Sequence, residues 1–181
     1  MSHFEYISVA ASLVYALILA KLLGAIPAVL KPDRRYWVHS CWLGSLLFVT
    51  VGSWWEIWSH REAVWSPGSF LALLFIPSII YLRASVLLGD EPREVLSWRE
   101  HYYSSRRPFF LLQLVGAANY VAVPWLISGA TRPGGSLVGI VASAVIAILG
   151  ATSAAPRLHE LIAVVSLVAF SGALFGPGLE L

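Results

Sequence analysis

The stretch Arg34–Trp58, RRYWVHSCWLGSLLFVTVGSWWEIW, decides the fold class of this chain. It begins with two arginines, continues as a long apolar run and ends in a cluster of tryptophans. A helix of about 20 mostly apolar residues is long enough to cross a bilayer, and tryptophan rings favour its interface. The stretch therefore predicts a membrane-spanning helix with a polar site (His39, Ser40) near one face and an aromatic anchor at the other.

The composition of the whole chain extends this prediction. Of its 181 residues, 58% are hydrophobic and 12% are charged, with a mean hydropathy of +0.75. A soluble domain carries about 25% charged residues, so a soluble fold of this length would lack polar surface. A net charge of +2 argues against nucleic acid as a partner. We expect an all-α, polytopic membrane helix bundle, formed by residues 1–181 as a single integral membrane domain.

The apolar blocks predict six transmembrane helices, because barrel strands would alternate polar and apolar residues in shorter runs. The first block has its positive charge after the apolar run, so we expect an uncleaved span rather than a signal peptide. The predicted spans are residues 4–23, 36–58, 69–88, 108–128, 136–151 and 158–175. Pro67 is placed to open the third helix, because its missing N–H costs nothing in the first helical turn.

The distribution of Lys and Arg between the loops predicts the orientation. The first, third and fifth connections carry most of the positive charge, whereas the second and fourth carry only Arg61 and Arg132. Cytoplasmic loops are enriched in Lys and Arg. We therefore expect the odd-numbered connections to be cytoplasmic and both termini to lie on the non-cytoplasmic side.

The third connection predicts an additional amphipathic helix over about residues 91–106. Val95, Trp98 and Tyr102 follow an i, i+3, i+7 spacing among charged residues. Such a helix would lie on the cytoplasmic membrane surface. Its apolar face supports one functional hypothesis, a non-transporting sensor or partner-binding protein.

Polar and ionisable side chains of several predicted spans fall at one depth near the cytoplasmic face. Such groups inside a membrane usually face the bundle interior and pair with one another. The alternative is that the long side chains only reach toward the headgroups. A polar cavity would support the main hypothesis, a small-solute or ion channel or transporter that forms a homo-oligomer, with Lys21 and Arg83 favouring an anion. The predicted cluster comprises Lys21, His39, Ser40, Tyr81, Arg83, His159 and Glu160.

His39 and His159 raise a third hypothesis, a membrane redox protein with haem or a metal between the second and sixth helices. No ligand-pair motif accompanies these histidines, and each also suits the start of a helix. We therefore expect no cofactor. The sequence also contains no nucleotide loop or nucleophile elbow, so we do not expect an enzyme.

Two further patterns concern the lipid bilayer and other copies of the chain. Trp54, Trp55, Trp58 and Trp65 predict an aromatic belt, with a cation site around Glu56 as the alternative. Gly139, Ser143 and Ala147 form a small-residue stripe that allows close helix approach, either within one chain or in a homo-oligomer.

Three strings resemble a known group of sequences: YWVH…WW…W between Tyr36 and Trp58, YLRA at 81–84, and REHYYSSRRPFF at 99–110. They are similar to small, uncharacterised bacterial inner-membrane proteins with six spans, over residues 36–110. The resemblance implies a location in a bacterial inner membrane and carries no activity.

Overall fold

The computed structural model describes residues 3–62, 64–128 and 135–175, and every regular element in these residues is helical. The all-α prediction is confirmed for this part of the chain. The α-helices are α1 (His3–Val29), α2 (Trp37–Glu56), α3 (Pro67–Leu88), α4 (Trp98–Ser128), α5 (Gly135–Thr152) and α6 (Pro156–Phe175), with a short 3-10 helix, Ile57–His60, after α2.

The core lies between α1, α2, α3 and α4. In α1, buried residues recur every three or four positions, which is the spacing of one face of a helix. This buried face comprises Ile7, Ala11, Tyr15, Ile18, Leu22, Ala25 and Val29. α1 packs against α2 and α3, α4 packs against α3 and α5, and α6 packs against α2.

Apolar side chains also cover much of the outer surface. α1 exposes Leu13 and Leu17, and α6 exposes Leu161 and Val168. In water such a surface would be an aggregation hazard, whereas in a bilayer it is the expected lipid contact. The outer surface is therefore compatible with a membrane protein.

Among the described residues, three helices are long and apolar enough to cross a membrane: Phe4–Val29, Pro67–Leu88 and Pro156–Phe175. The six predicted spans are thus reduced to three clear candidates. α2 is not among these three helices, and it carries His39, several hydroxyl groups and indole rings. The first half of α4 is charged, and the apolar part of α5, Leu137–Thr152, is short.

The separate surface helix predicted at 91–106 is wrong. Residues 91–97 contain only turns and bends, and a continuous helix of 31 residues begins at Trp98. Val95 precedes this helix, while Trp98 and Tyr102 are buried in the core. The partner-binding hypothesis therefore loses the exposed face on which it depended.

The physical reason lies in contacts between the first and third connections. Arg34 Nη1 donates to the carbonyl oxygens of Arg93 at 2.7 Å and Val95 at 3.0 Å. Trp98 donates its backbone N–H to the Arg34 carbonyl and its indole N–H to the Ala28 carbonyl at 3.0 Å. These long-range hydrogen bonds satisfy backbone groups that a helix over residues 91–97 would have paired within itself. The segment 91–97 therefore lies across the end of α1.

The start of α3 agrees with the sequence-based prediction that Pro67 opens a helix. Pro67 occupies the first turn, where its missing N–H costs nothing. Ser66 and Ser69 form a reciprocal capping box: Ser66 Oγ accepts from Ser69 N, and Ser69 Oγ accepts from Ser66 N. This cap fixes the register in which α3 presents Arg83 to the interior.

Gly150 tests the packing of α5 against α4. A Cβ atom at this position would lie 2.5 Å from the Phe110 ring, which contacts Trp42 and Phe109 and has no space to move. We expect Gly150→Ala to destabilise the fold by about 1–3 kcal/mol. The measurement is the thermal unfolding midpoint in detergent. Gly24→Ala is the matched control, because nothing lies within 4 Å of its Cβ position; equal midpoints for the two variants would contradict this packing.

Candidate functional site

A large cavity lies between the α2–α6 pair and the α4–α5 pair, with α3 along one side. Its volume is about 970 Å³, at the upper end of the range of about 300–1,000 Å³ for small-molecule sites. The outer end of the cavity is lined by Trp58 and Arg61, beyond the C-terminal end of α2. The inner end reaches Arg83, near the C-terminal end of α3. Because α2 and α3 are antiparallel, these two ends are far apart along the bundle.

Arg83 is the charged group at the inner end of the cavity. Its side chain is only 6% exposed. Arg83 Nη2 donates to Gln113 Oε1 at 2.8 Å, and Arg83 Cζ lies 4.9 Å from the centre of the Phe109 ring. In the described part of the chain, the ion pairs of the structure give Arg83 no carboxylate partner. The cavity therefore contains a buried cation held by a neutral amide and an aromatic ring.

Gln113 connects this cation to α5. Its Nε2 donates to the Ser143 carbonyl oxygen at 3.2 Å and lies 3.3 Å from Ser143 Oγ. Because both amide hydrogens point toward α5, the amide oxygen is directed at Arg83. The polar chain Arg83–Gln113–Ser143 thus ties α3, α4 and α5 together and orients the guanidinium.

Three buried donors at the cavity have no hydrogen-bond partner among the described residues. They are Arg83 Nε, Asn119 Nδ2 and Ser166 Oγ, and all three residues line the cavity. An unsatisfied buried polar group costs about 1–3 kcal/mol, and more if charged. The three atoms themselves are buried in the wall of the cavity.

A second polar cluster lies beyond Arg83 at the same end of the bundle, where the N-terminal parts of α2, α4 and α6 meet. Trp42 Nε1 donates to Tyr102 Oη at 3.1 Å, and Tyr102 Oη lies 2.7 Å from His159 Nδ1. His159 Nε2 lies 3.0 Å from the Ser153 carbonyl oxygen. All three side chains are buried.

These partners determine the tautomer of a neutral His159. A carbonyl oxygen only accepts, so Nε2 carries the ring proton and Nδ1 accepts from Tyr102. Tyr102 lies outside the predicted span 108–128. Burial raises the pKa of its phenol, so the hydroxyl keeps the proton that it donates to His159 Nδ1. Both nitrogens of His159 are therefore used within the protein.

His39 occupies a different position, in the aromatic core. Its ring lies over Trp98, with the ring centres 4.4 Å apart and an interplanar angle of 33°. The ring is fully buried, and neither of its nitrogens has a hydrogen-bond partner in the described residues. Tyr102 contacts both His39 and His159, with ring centres 6.5 Å and 5.4 Å apart.

Haem or metal binding between His39 and His159 stays a prediction, and these contacts do not favour it. His159 would have to release Tyr102 or Ser153 to become a ligand. Among the described residues, no group of three or more His, Cys, Asp or Glu side chains is placed to hold a metal ion.

The structure does not gather all residues of the predicted polar cluster at the cavity. Of this cluster, only Arg83 lines the cavity. Lys21 and Tyr81 lie together, with Lys21 Nζ 5.7 Å from the centre of the Tyr81 ring, and Tyr81 is partly exposed. Ser40 Oγ lies 3.4 Å from the Tyr36 carbonyl, and Glu160 is half-buried.

The predicted aromatic belt lies at the opposite end of α2. Trp54, Trp55 and Trp58 are 44–52% exposed, and Trp65 is half-buried. Trp55 and Trp58 also line the cavity, with the Arg61 guanidinium 5.6 Å from the Trp58 ring. Exposed indoles are therefore present both on the outer surface and at the outer end of the cavity.

Sequence reasoning missed Gln113, Asn119 and Ser166 as site residues. The available signal was an amide or hydroxyl group inside an apolar helix, where it needs a partner. Ser143 and Ala147 of the small-residue stripe face α4, since Ser143 contacts Gln113 and Ala147 is buried. Part of the stripe thus packs within one chain.

Comparison of the chain with models of protein families, with curated proteins and with solved structures finds no match.

Tyr102→Phe tests the cluster that joins α2, α4 and α6. The variant leaves Trp42 Nε1 and His159 Nδ1 without their partner, and we expect a loss of stability of about 1–3 kcal/mol for each buried group. Tyr81→Phe is the control, because Tyr81 is on the surface. Nitrogen-15 NMR of the imidazoles checks the tautomer: a proton on Nδ1 of His159 in the neutral wild type would contradict the assignment.

Proposed function

We propose that this chain is an integral membrane protein of a bacterial inner membrane that binds a small anionic solute in the cavity and carries it across the membrane. The observation that supports the proposal best is Arg83, a buried cation at the inner end of a large cavity. The resemblance over residues 36–110 supports the location.

The membrane part of the proposal rests on helix length and surface. Three helices have the length and composition of spans, and α2, α4 and α5 complete the bundle with apolar surface of their own. With Lys and Arg concentrated in the first, third and fifth connections, both termini lie on the non-cytoplasmic side. In this orientation the tryptophan end of the cavity faces away from the cytoplasm.

The anionic character of the solute follows from the groups at the inner end. A guanidinium is always protonated and presents several donors in one plane, which suits a carboxylate, sulfonate or phosphate. Gln113 supplies orientation without neutralising the charge.

A carrier is favoured over an open channel because the space is closed on one side. Beyond Arg83, the interior is filled by Trp42, Phe109, Phe110 and the Tyr102–His159 pair, all of which are buried. An open pore would need this packing to be absent. The cavity is formed within one chain, so a homo-oligomer is not required for binding.

Arg83→Gln tests the proposal through the flux of radiolabelled benzenesulfonate into proteoliposomes. This probe is permanently anionic and crosses lipid poorly. Hydrogen bonds to a charged group contribute about 1.5–3 kcal/mol, so we expect uptake at low substrate concentration to fall about ten- to a hundredfold.

Lys21→Gln is the matched control, because it removes one positive charge from a helix of the same bundle at a site outside the cavity. Its uptake should equal that of wild type. Equal uptake by Arg83→Gln and wild type, or wild-type uptake no faster than that of protein-free vesicles, would overturn the proposal.

A further inference from the structure

We infer that the solute is an anionic amphiphile, with a single charged head at Arg83 and an apolar body that fills the rest of the cavity. This inference rests on the proposed function and adds the class of molecule. Its basis is a buried cation, Arg83, at one end of a cavity whose wall is mostly apolar between that end and the residues Glu56, Ser59 and Arg61 at the other.

Arg83 indicates the head. This residue lines the cavity, Gln113 holds its Nη2, and no ion pair of the described residues gives it a carboxylate partner. A carboxylate, sulfonate or phosphate supplies the negative charge and the acceptor oxygens that a guanidinium binds.

Most of the remaining wall is apolar. Phe48, Ile76, Ile79, Ile140, Val165 and Phe170 are among the residues that line it. Water gains little in such surroundings, because a stable buried water needs two to four polar partners. An apolar ligand body releases that water and replaces it with dispersion contacts.

Volume argues against an inorganic anion as the whole occupant. The cavity of about 970 Å³ compares with roughly 30 Å³ for one water molecule in the liquid. A chloride or phosphate ion at Arg83 would leave most of the apolar wall facing empty or poorly bonded space. A chain or ring system attached to the anion would occupy it, with its far end near Trp55 and Trp58.

Competition by alkanesulfonates tests the inference. Ethane-, butane-, hexane- and octanesulfonate share one head and differ only in the apolar body. They compete with labelled benzenesulfonate for wild-type protein in proteoliposomes of neutral lipid. Each methylene that leaves water for the cavity should strengthen inhibition about fourfold at best, so inhibition constants should fall steadily along the series. Octyltrimethylammonium has the same tail with a positive head, and it should not compete.

Two variants separate the head from the body. Arg83→Gln should raise the inhibition constants of all the sulfonates by a similar factor. Gly139 lines the cavity and has open space around its Cβ position, so a leucine side chain there would occupy part of the cavity. Gly139→Leu should therefore remove the increase in inhibition from hexane- to octanesulfonate. Gly24→Leu, on α1 and outside the cavity, is its control and should leave the series unchanged.

The outcomes distinguish the two proposals. Inhibition that depends on Arg83 but is equal for ethane- and octanesulfonate would overturn the amphiphile and leave the anion carrier standing. Inhibition by octyltrimethylammonium equal to that by octanesulfonate would also overturn it, because the effect would then come from the bilayer. Absence of any Arg83-dependent benzenesulfonate flux would overturn both.

Discussion

The hydrogen bond from the Arg83 guanidinium to Gln113 governs the interior of this helix bundle. A buried cation needs partners that stabilise its charge, and Arg83 has an amide oxygen and the face of Phe109. Gln113 satisfies its own donors on Ser143, so one polar chain connects α3, α4 and α5. These contacts leave Arg83 Nε without a hydrogen-bond partner among the described residues.

The end of the bundle beyond Arg83 is organised by a different constraint. Trp42, Tyr102 and His159 each have a polar atom that must be satisfied inside an aromatic core, and they satisfy one another. This network joins α2, α4 and α6 through hydrogen bonds between buried side chains. Together with Phe109 and Phe110, it fills the interior beyond the Arg83 end of the cavity.

The residues of the predicted polar cluster lie in different surroundings in the structure. Lys21, His39, Arg83 and His159 lie at similar distances from their predicted helix ends, and depth alone placed them together. The depth of a residue in the membrane gives only its position along the axis of the bundle. The rotation of each helix about its axis sends Arg83 into the cavity, His159 toward Tyr102 and Lys21 toward Tyr81. That rotation depends on packing between helices, which no single segment encodes.

The sequence by itself determined the all-α class, the apolar character of the helices, the start of α3 at Pro67 and the importance of Arg83 as a costly charge in an apolar segment. These follow from local composition, helix capping and the free energy of moving charge out of water, which act on each segment separately. The tertiary structure alone decided that Trp98 and Tyr102 belong to the core of one long helix, because Arg34 and Ala28 satisfy groups that lie more than fifty residues away. It alone also brought Gln113, Asn119 and Ser166 to the cavity of Arg83, since residues distant in the chain become neighbours only when the helices pack.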